Sequence, residues 1–494
     1  MNNVLWFAGW VAAIALVTRS AFIAANRHGL ANRSRLVRMF VIIAGVIVTA
    51  ILAQWAIVNR DISIDFTHEQ TYTPDASVLE LVDALSEAVA VTYFGHGDDH
   101  RAGRLMRLLD ILAQRSPHLS VQTFDPDKAP NLARQMGVSF YNVAVIEARG
   151  KRVYADSTDE KEIALAIQKA LREKTSELCF VTGHGEAGIF NQEFHTHIES
   201  LGGADDHGHG HAHIPIVRST PHGVGRMGRA LKALGYSIRE INLVTNPEVV
   251  SVCDVVSIVK PLHPFSQKEQ EILNELLLEG VTILAFLDLA YPHGELTGFL
   301  ETNGVHLNHD VIVDRQHHHE NNIETLAITS YPQSVLTRDI AMTIFPGASS
   351  LSINPQFAAL EPVVTAGPSA ALSVIRAQDS PLSEVSSETK QTAAPVFIVK
   401  KEADDVGGKL LIAGEADFLT NTYFPYLSNS AFALAIYRWA VGEEDSVQTA
   451  PSLPVLNTVI LTNRQMRQIF FLLVVVLPLA VVAVGAVVWL RQRQ

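Results

Sequence analysis

The chain has 494 residues, 48% of them apolar, and a formal net charge of −13. That length serves two or three domains, each able to bury its own core. The dispersed acidity excludes a nucleic-acid-binding surface, which needs clustered Lys and Arg. The two cysteines, Cys179 and Cys253, stand outside any Cys-x-x-Cys pair, which excludes a dithiol redox site and a thiolate zinc site. Two buried free thiols are expected, with a disulfide as the alternative in an oxidising compartment.

Apolar residues are concentrated in two blocks at the start and one at the end. Residues 3–25 are apolar apart from Thr18, Arg19 and Ser20, with Trp6 and Trp10 placed as an interfacial aromatic belt would hold them. This block reads as a spanning or partly interfacial helix. Residues 39–58 and 469–490 carry no charge, and each is long enough to cross ~30 Å of hydrocarbon. Arg27, Arg33, Arg35 and Arg38 lie between the first two blocks, and Arg491 and Arg493 follow the third. The positive-inside rule puts both groups in the cytoplasm and residues 59–468 outside it. The expectation is a protein of the bacterial inner membrane, in contact with lipid, with its main body periplasmic. No Gly-x-x-x-x-Gly-Lys-Ser/Thr loop occurs, so a cytoplasmic nucleotide is not hydrolysed by this chain.

Residues 1–60 thus hold two transmembrane helices and their Arg-rich loop, and 61–175 form a first extracytoplasmic domain. In it, strand 89–94 precedes a polar loop and a helix with Leu105, Leu108, Leu109 and Leu112 on one face. Strand 119–124, a short helix near 131–136, strands 143–147 and 152–155 and helix 160–172 complete the order. This β-α-β-α-β-β-α order resembles a thioredoxin-like domain without its Cys-x-x-Cys, which implies a scaffold. His96, Asp98, Asp99 and His100 in the polar loop read as solvated, with metal binding as the alternative.

Residues 176–446 form a second domain, followed by a linker (447–468). Its first strand, 178–182, ends in Thr182-Gly183-His184-Gly185-Glu186. Strands recur at 237–243, 254–259 and 281–287, with a helix at 266–278 whose Ser266 and Glu269 fit a capping box. Alternating strands and helices imply a parallel sheet with right-handed crossovers. Strands at 396–399 and 409–413 close the sheet, and the last ends in Gly414-Glu415-Ala416-Asp417. Residues 294–392 read as an irregular excursion over the sheet edge.

Loops at the carboxyl ends of parallel strands line a ligand crevice, so Thr182, His184, Glu186, Glu415 and Asp417 are its candidate residues. His184 and Glu186 could act as a base and its orienter, but no Ser or Cys stands in a nucleophile-elbow pattern. A binding or shape-holding turn is the favoured role. The insertion at 195–222 holds His207, His209, His211 and His213, and a second cluster is His317, His318 and His319. Imidazoles in an extended Gly-rich tract suit zinc, copper or nickel. No cofactor is assigned with certainty; zinc or another transition metal is the class these histidines would take. Opportunistic chelation, dedicated metal sensing or buffering, and a catalytic metal site are the three readings.

Several segments together resemble one family. They are Ile62-Ser63-Ile64-Asp65-Phe66-Thr67, Phe124-Asp125-Pro126-Asp127-Lys128, Met136-Gly137-Val138, Val181-Thr182-Gly183-His184-Gly185-Glu186, residues 231–236, and Gly414-Glu415-Ala416-Asp417-Phe418-Leu419-Thr420-Asn421. In this order they resemble the GldG-like auxiliary subunits of ABC-type transport systems, first associated with gliding motility. The resemblance implies a thioredoxin-like domain followed by a glutamine-amidotransferase-like, flavodoxin-like parallel-sheet domain lacking the catalytic cysteine. It also implies a non-enzymatic role beside a separately encoded permease and cytoplasmic ATPase. The alternatives are a metal-binding periplasmic accessory protein and a metal-dependent enzyme.

Overall fold

The structure, a computed structural model, describes residues 45, 72–96, 98–193, 223–245, 250–288, 296–308, 310–319, 322–357, 359–374, 394–403, 407–444 and 463–479. The chain divides into two units, Met1–Thr73 and Pro74–Gln494. Of the first, only Gly45, Tyr72 and Thr73 are described.

In the second unit, α1 (Ala76–Asp83) is capped by Asp75, whose side chain accepts from the Ser77 N–H. It leads to β1 (Val89–Phe94), α2 (His100–Arg115), β2 (Leu119–Phe124), α3 (Pro130–Gln135), β3 (Val143–Ala148), β4 (Lys151–Asp156) and α4 (Glu160–Leu171). Leu105, Leu108, Leu109 and Leu112 of α2 are all buried, as their helical spacing predicts. The strand order is β2-β1-β3-β4, with β1 parallel to β2 and antiparallel to β3. β3 and β4 form a hairpin through Arg149 and Gly150, both at positive φ, the requirement of a type I′ turn. Leucines of α2 and α4 residues such as Ile163 and Ile167 pack on one face of the sheet. Ala133 of α3 packs on the other, against Phe94, Val143 and Val145.

The larger sheet begins with β5 (Glu177–Val181). It continues through α5 (Gly225–Ala233), β6 (Ser237–Ile241), β7 (Val255–Val259), α6 (Gln267–Leu278) and β8 (Thr282–Phe286). Next come α7 (Leu296–Thr302), β9 (Val305–Leu307), β10 (Asp310–Asp314), β11 (His318–His319), β12 (Asn322–Ile328), β13 (Thr343–Pro346) and β14 (Leu351–Ile353). β15 (Leu360–Thr365), β16 (Ala370–Val374), β17 (Val396–Lys401), β18 (Leu410–Ala413), α8 (Asn429–Ala440) and α9 (Asn463–Phe471) follow. Seven strands lie in the order β15-β17-β18-β8-β7-β5-β6. β6, β5, β7, β8 and β18 are mutually parallel, and β17 and β15 add antiparallel at one edge.

Period-2 alternation sends successive residues of β5 to opposite faces. Leu178 and Phe180 join α5 and α8 in one core, while Cys179 and Val181 join α6 in the other. The chain leaves β5 for β6 on one side and returns to β7 on the other. That reversal is a topological switch point, where an open α/β sheet forms its crevice. The capping box is present, Ser266 and Glu269 satisfying each other's backbone N–H.

Three expectations are revised. Among the described residues no helix is long and apolar enough to cross a membrane, so the N- and C-terminal transmembrane helices of the expected architecture are withdrawn. Residues 3–25, and 39–58 apart from Gly45, lie outside the described residues. So do 480–490 of the third block. Near the C-terminus the α-helix α9 has 9 residues and gives way to a π-helical segment, Leu472–Val476.

The free-thiol expectation also fails: Cys179 and Cys253 are disulfide-bonded, with Cα atoms 5.8 Å apart. Strand neighbourhood explains it, since β5 pairs with β7 and Cys253 stands just before β7. Thirdly, the described residues within 294–392 are not irregular. They hold α7 and β9 to β16, and build paired sheets β14-β9, β10-β16 and β11-β12-β13 as well as edge strand β15. These strands are short, so their alternation is weak in sequence, and pairing with distant partners supplies their order. Phe345 of β13 anchors them to the main core, packing edge-on against Phe397, Phe418 and Phe432.

Near residue 175, where the second domain is expected to begin, the chain passes from the first sheet's last helix to β5. Arg172, just after α4, binds Glu443 with Nε and Nη2, each at 2.7 Å, and donates Nη1 to the Leu234 carbonyl at 2.8 Å. Its guanidinium lies 4.5 Å over the Tyr236 ring. This bidentate pair ties the end of the first sheet's last helix to the second sheet.

Candidate functional site

At the switch point, β5 ends in a turn that its own side chains hold. The Glu186 carboxylate accepts from the His184 N–H at 2.7 Å and lies 3.0 Å from His184 Nδ1. His184 Nε2 lies 3.2 Å from Glu269 on the first turn of α6, and the imidazole stacks on Phe265 at 3.8 Å. The His184 carbonyl accepts from Leu262 and His263 N–H at 2.7 and 2.9 Å. Gly183 and Gly185 have φ of 125° and 75°, which a side chain would disfavour. Thr182 bonds back to β6, its hydroxyl donating to the Ile241 carbonyl at 3.1 Å.

Both ring nitrogens of His184 face carboxylates, an arrangement for imidazolium. Burial opposes its charge, but the bonds and charges of Glu186 and Glu269 prevail and raise its pKa above the ordinary 6.5. Burial likewise opposes ionisation of Glu269, yet its bonds to Ser266 and the His184 charge hold its pKa below 4.5. The raised His184 pKa contributes stability that is full below about pH 6.5 and is lost as pH rises through the folded value. The depressed Glu269 pKa contributes stability above about 4.5 that is lost as pH falls through its folded value. His184→Gln, which cannot take the charge, should lose about 1–3 kcal/mol to the native chain, most between pH 4.5 and 6.5. Denaturant melts across pH check this, and a difference flat from pH 5 to 10 would sink it.

The next two strands contribute a second set. Lys260 follows β7 directly with φ of 52°, a strained value for a residue with a side chain. Its Nζ lies 2.8 Å from Asp288, just after β8, and 2.5 Å from Asp417, after β18. The lysine side chain is 1% exposed, those of Asp288 and Asp417 13% and 15%. Burial works against its charge, and the two aspartates overcome it, raising the lysine pKa well above its usual range. Glu415, 1% exposed, accepts from the Asp417 and Phe418 N–H at 2.6 and 3.3 Å. Burial and then the Asp417 charge push its pKa well above 4.5.

Asn421 finishes this loop. Its Nδ2 donates to the Asn191 and Glu193 carbonyls, each at 2.8 Å, while Oδ1 accepts from the Arg226 N–H at 2.8 Å and its own N–H donates to the Gly223 carbonyl. One buried side chain therefore joins the two ends between which the insertion runs. The insertion histidines His207, His209, His211 and His213 lie outside the described residues.

All five crevice candidates thus sit at carboxyl ends of strands, in two sets. Thr182, His184 and Glu186 follow β5; Glu415 and Asp417 follow β18. The segment after β7 bridges them, Lys260 reaching Asp417 and Leu262 reaching His184. Lys260, Asp288, Glu269 and Asn421 were not among the expected crevice residues, Glu269 being expected only as a helix cap and Asn421 only within a shared motif. A usable signal existed for two of them: Lys260 and Asp288 are the first charged residues after the largely apolar, fully buried runs of β7 and β8.

The structure does not converge His317, His318 and His319. His317 Nδ1 is 3.1 Å from Ser369 Oγ and 3.4 Å from Asp314. His318 Nδ1 is 2.9 Å from the Asp314 carbonyl, and His319 packs edge-on against Tyr426. Among the described residues no group of three His, Cys, Asp or Glu is placed to hold a metal. A polar cavity of about 440 Å³ lies at the opposite, amino ends of the strands, lined by Arg172, Ser176, Asp254 and Thr282 among others, away from the crevice.

No family model and no curated protein matches the chain. Solved structures with some similarity include the mmIFT52 N-terminal domain, at 15% identity and TM-score 0.36, covering 46% of this chain and 94% of that one. Another is the exo-beta-1,4-mannosidase Op5Man5 from Opitutaceae bacterium strain TAV5, at 9% identity and TM-score 0.24, covering 70% of this chain and 50% of that one.

Proposed function

We propose that the chain is a non-catalytic extracytoplasmic auxiliary subunit of an ABC-type transport system, coupling a separately encoded permease and ATPase to cargo or to envelope partners. The observation that carries the non-catalytic part is the internal pairing of the crevice charges. His184 has both nitrogens on carboxylates, and Lys260 lies between two aspartates. A general base needs a free nitrogen or oxygen toward its substrate, and a lysine nucleophile needs a lowered pKa; here the lysine pKa is raised. The Cys179–Cys253 disulfide supports an oxidising compartment. The transporter part rests on the ordered motifs that resemble those of GldG-like subunits; in this chain Glu415 holds its own turn, and Asp417 and Asn421 each reach a neighbouring loop.

Purification of the tagged chain in mild detergent from its native host, with cross-linking, should recover a permease and an ATPase in fixed ratio. Recovery of the chain with neither, under conditions that preserve a known transporter from the same cells, overturns the coupling reading. Alanine at His184 should in that case abolish neither assembly nor any hydrolytic activity of the preparation.

A further inference from the structure

Phe140 is 74% exposed, the most exposed large apolar side chain among the described residues, and Tyr141 and Tyr154 are 43% and 50% exposed. Single exposed apolar residues are ordinary, but a cluster marks an interaction surface. These three gather where α3 ends: the Tyr154 hydroxyl donates to the Met136 carbonyl at 3.0 Å, and Phe140 and Tyr141 follow in the same loop.

The loop is held in one shape. Asn142 stands at φ of 64°, with its side chain bonded to the Tyr93 hydroxyl and to Asp99 at 3.1 and 3.2 Å. Its N–H donates to the Phe94 carbonyl and its carbonyl accepts from the Ser157 N–H. Left-handed backbone at a residue other than glycine persists where the surroundings impose it, and a preformed surface loses less entropy on binding.

The rim is acidic. Asp127 accepts from the Tyr141 hydroxyl at 2.6 Å, Asp125 pairs with the exposed Lys128 at 3.2 Å, the Asp98 side chain is 97% exposed, and Arg152 beside Tyr154 is itself paired with Glu147 at 2.6 Å. The His96 ring sits edge-on 5.6 Å from Tyr141, joining the two loops. Tyr154 belongs to β4, an edge strand, and edge strands present backbone groups that an extended segment can pair.

We propose that Phe140, Tyr141 and Tyr154, rimmed by Asp98, Asp125 and Asp127, form a docking surface for an extended segment of a partner protein in which Arg or Lys alternates with aliphatic residues. Guanidinium groups stack on the aromatic faces with a carboxylate beside them, and the aliphatic side chains cover Phe140. The surface lies outside the crevice, and its role holds whether or not the chain serves a transporter.

The test is fluorescence anisotropy of a labelled synthetic peptide alternating Arg with Leu, titrated with the full chain, beside a counterpart carrying Glu for Arg. The Arg peptide binds, the Glu peptide does not, and Phe140→Ser weakens binding roughly tenfold or more, the size of an interface hot spot. Asp98→Asn with Asp127→Asn weakens it too and flattens its salt dependence. Because Phe140 is so exposed, Phe140→Ser retains the native far-UV spectrum and melting midpoint. Equal binding of the two peptides, binding indifferent to Phe140→Ser, or no binding of the Arg peptide overturns the proposal. So does binding of a neutral oligosaccharide in place of the peptide, or a concentration-dependent dimer in sedimentation that Phe140→Ser abolishes, which assigns the patch to self-association.

Discussion

Replacement of Lys260 by Met lowers the unfolding free energy by about 3–5 kcal/mol, the cost of removing one partner from a buried ionic set. Met fills a similar volume and suffers the same backbone strain at φ of 52°, so the change isolates the charge. Without the ammonium, Asp288 and Asp417 face one another beside the buried Glu415. The loss should depend on pH in a defined direction. Burial raises the folded pKa of Asp417 and of Glu415, and the Lys260 charge restrains both. A raised carboxyl contributes stability that is full below its unfolded value, about 4, and is lost as pH rises through the folded value. Removing the lysine raises both further, so the gap between variant and native chain widens from acid to neutral pH. Urea melts from pH 4 to 8 measure it, and adding Asp417→Asn to the variant should recover part of the loss through the coupling of neighbouring sites. A variant as stable as the native chain at pH 7 would overturn the assignment of a buried ionic set around Lys260.

Reduction of Cys179–Cys253 costs about 4 kcal/mol. The two residues stand 74 apart in sequence, and chain entropy for a closed loop of that size gives a value of this order, toward the upper end of what disulfides deliver. Urea melts with and without reductant check it. The reduced chain should show a lower midpoint and a steeper slope, because its unfolded state exposes more surface. The double variant Cys179→Ala, Cys253→Ala should match the reduced native chain and ignore reductant. Coincident melts for reduced and oxidised chains would remove the disulfide from the stability of the larger sheet.

Local signals were readable where one element decides its own form. The leucines of α2 give a helix face by spacing, and Ser266 with Glu269 gives a cap by reciprocal bonding, and both stand as sequence-based expectations in the folded chain. The parallel strands of the larger sheet announce themselves as apolar runs, and the crevice candidates follow from where those runs stop. What sequence does not carry is which runs become neighbours. The pairing of Cys179 with Cys253, the meeting of Lys260 with Asp417, and the grasp of Asn421 on Asn191 all depend on strand order across 74 or more residues. The strands of β9 to β14 are legible only after their partners are in place.

The Asn421 clip has a consequence for how the molecule can change over time. Gly225 donates its N–H to the Asn191 carbonyl at 2.9 Å, so the chain departs and re-enters the fold at nearly one point. Any polypeptide that leaves after Glu193 and returns before Gly223 inherits the same closed doorway, and each doubling of its length adds only about 0.6 kcal/mol of closure entropy. Lineages can therefore lengthen, shorten or recompose that stretch while the sheet behind it stays the same, which makes it the natural place for related chains to acquire different specificities on one unchanging frame.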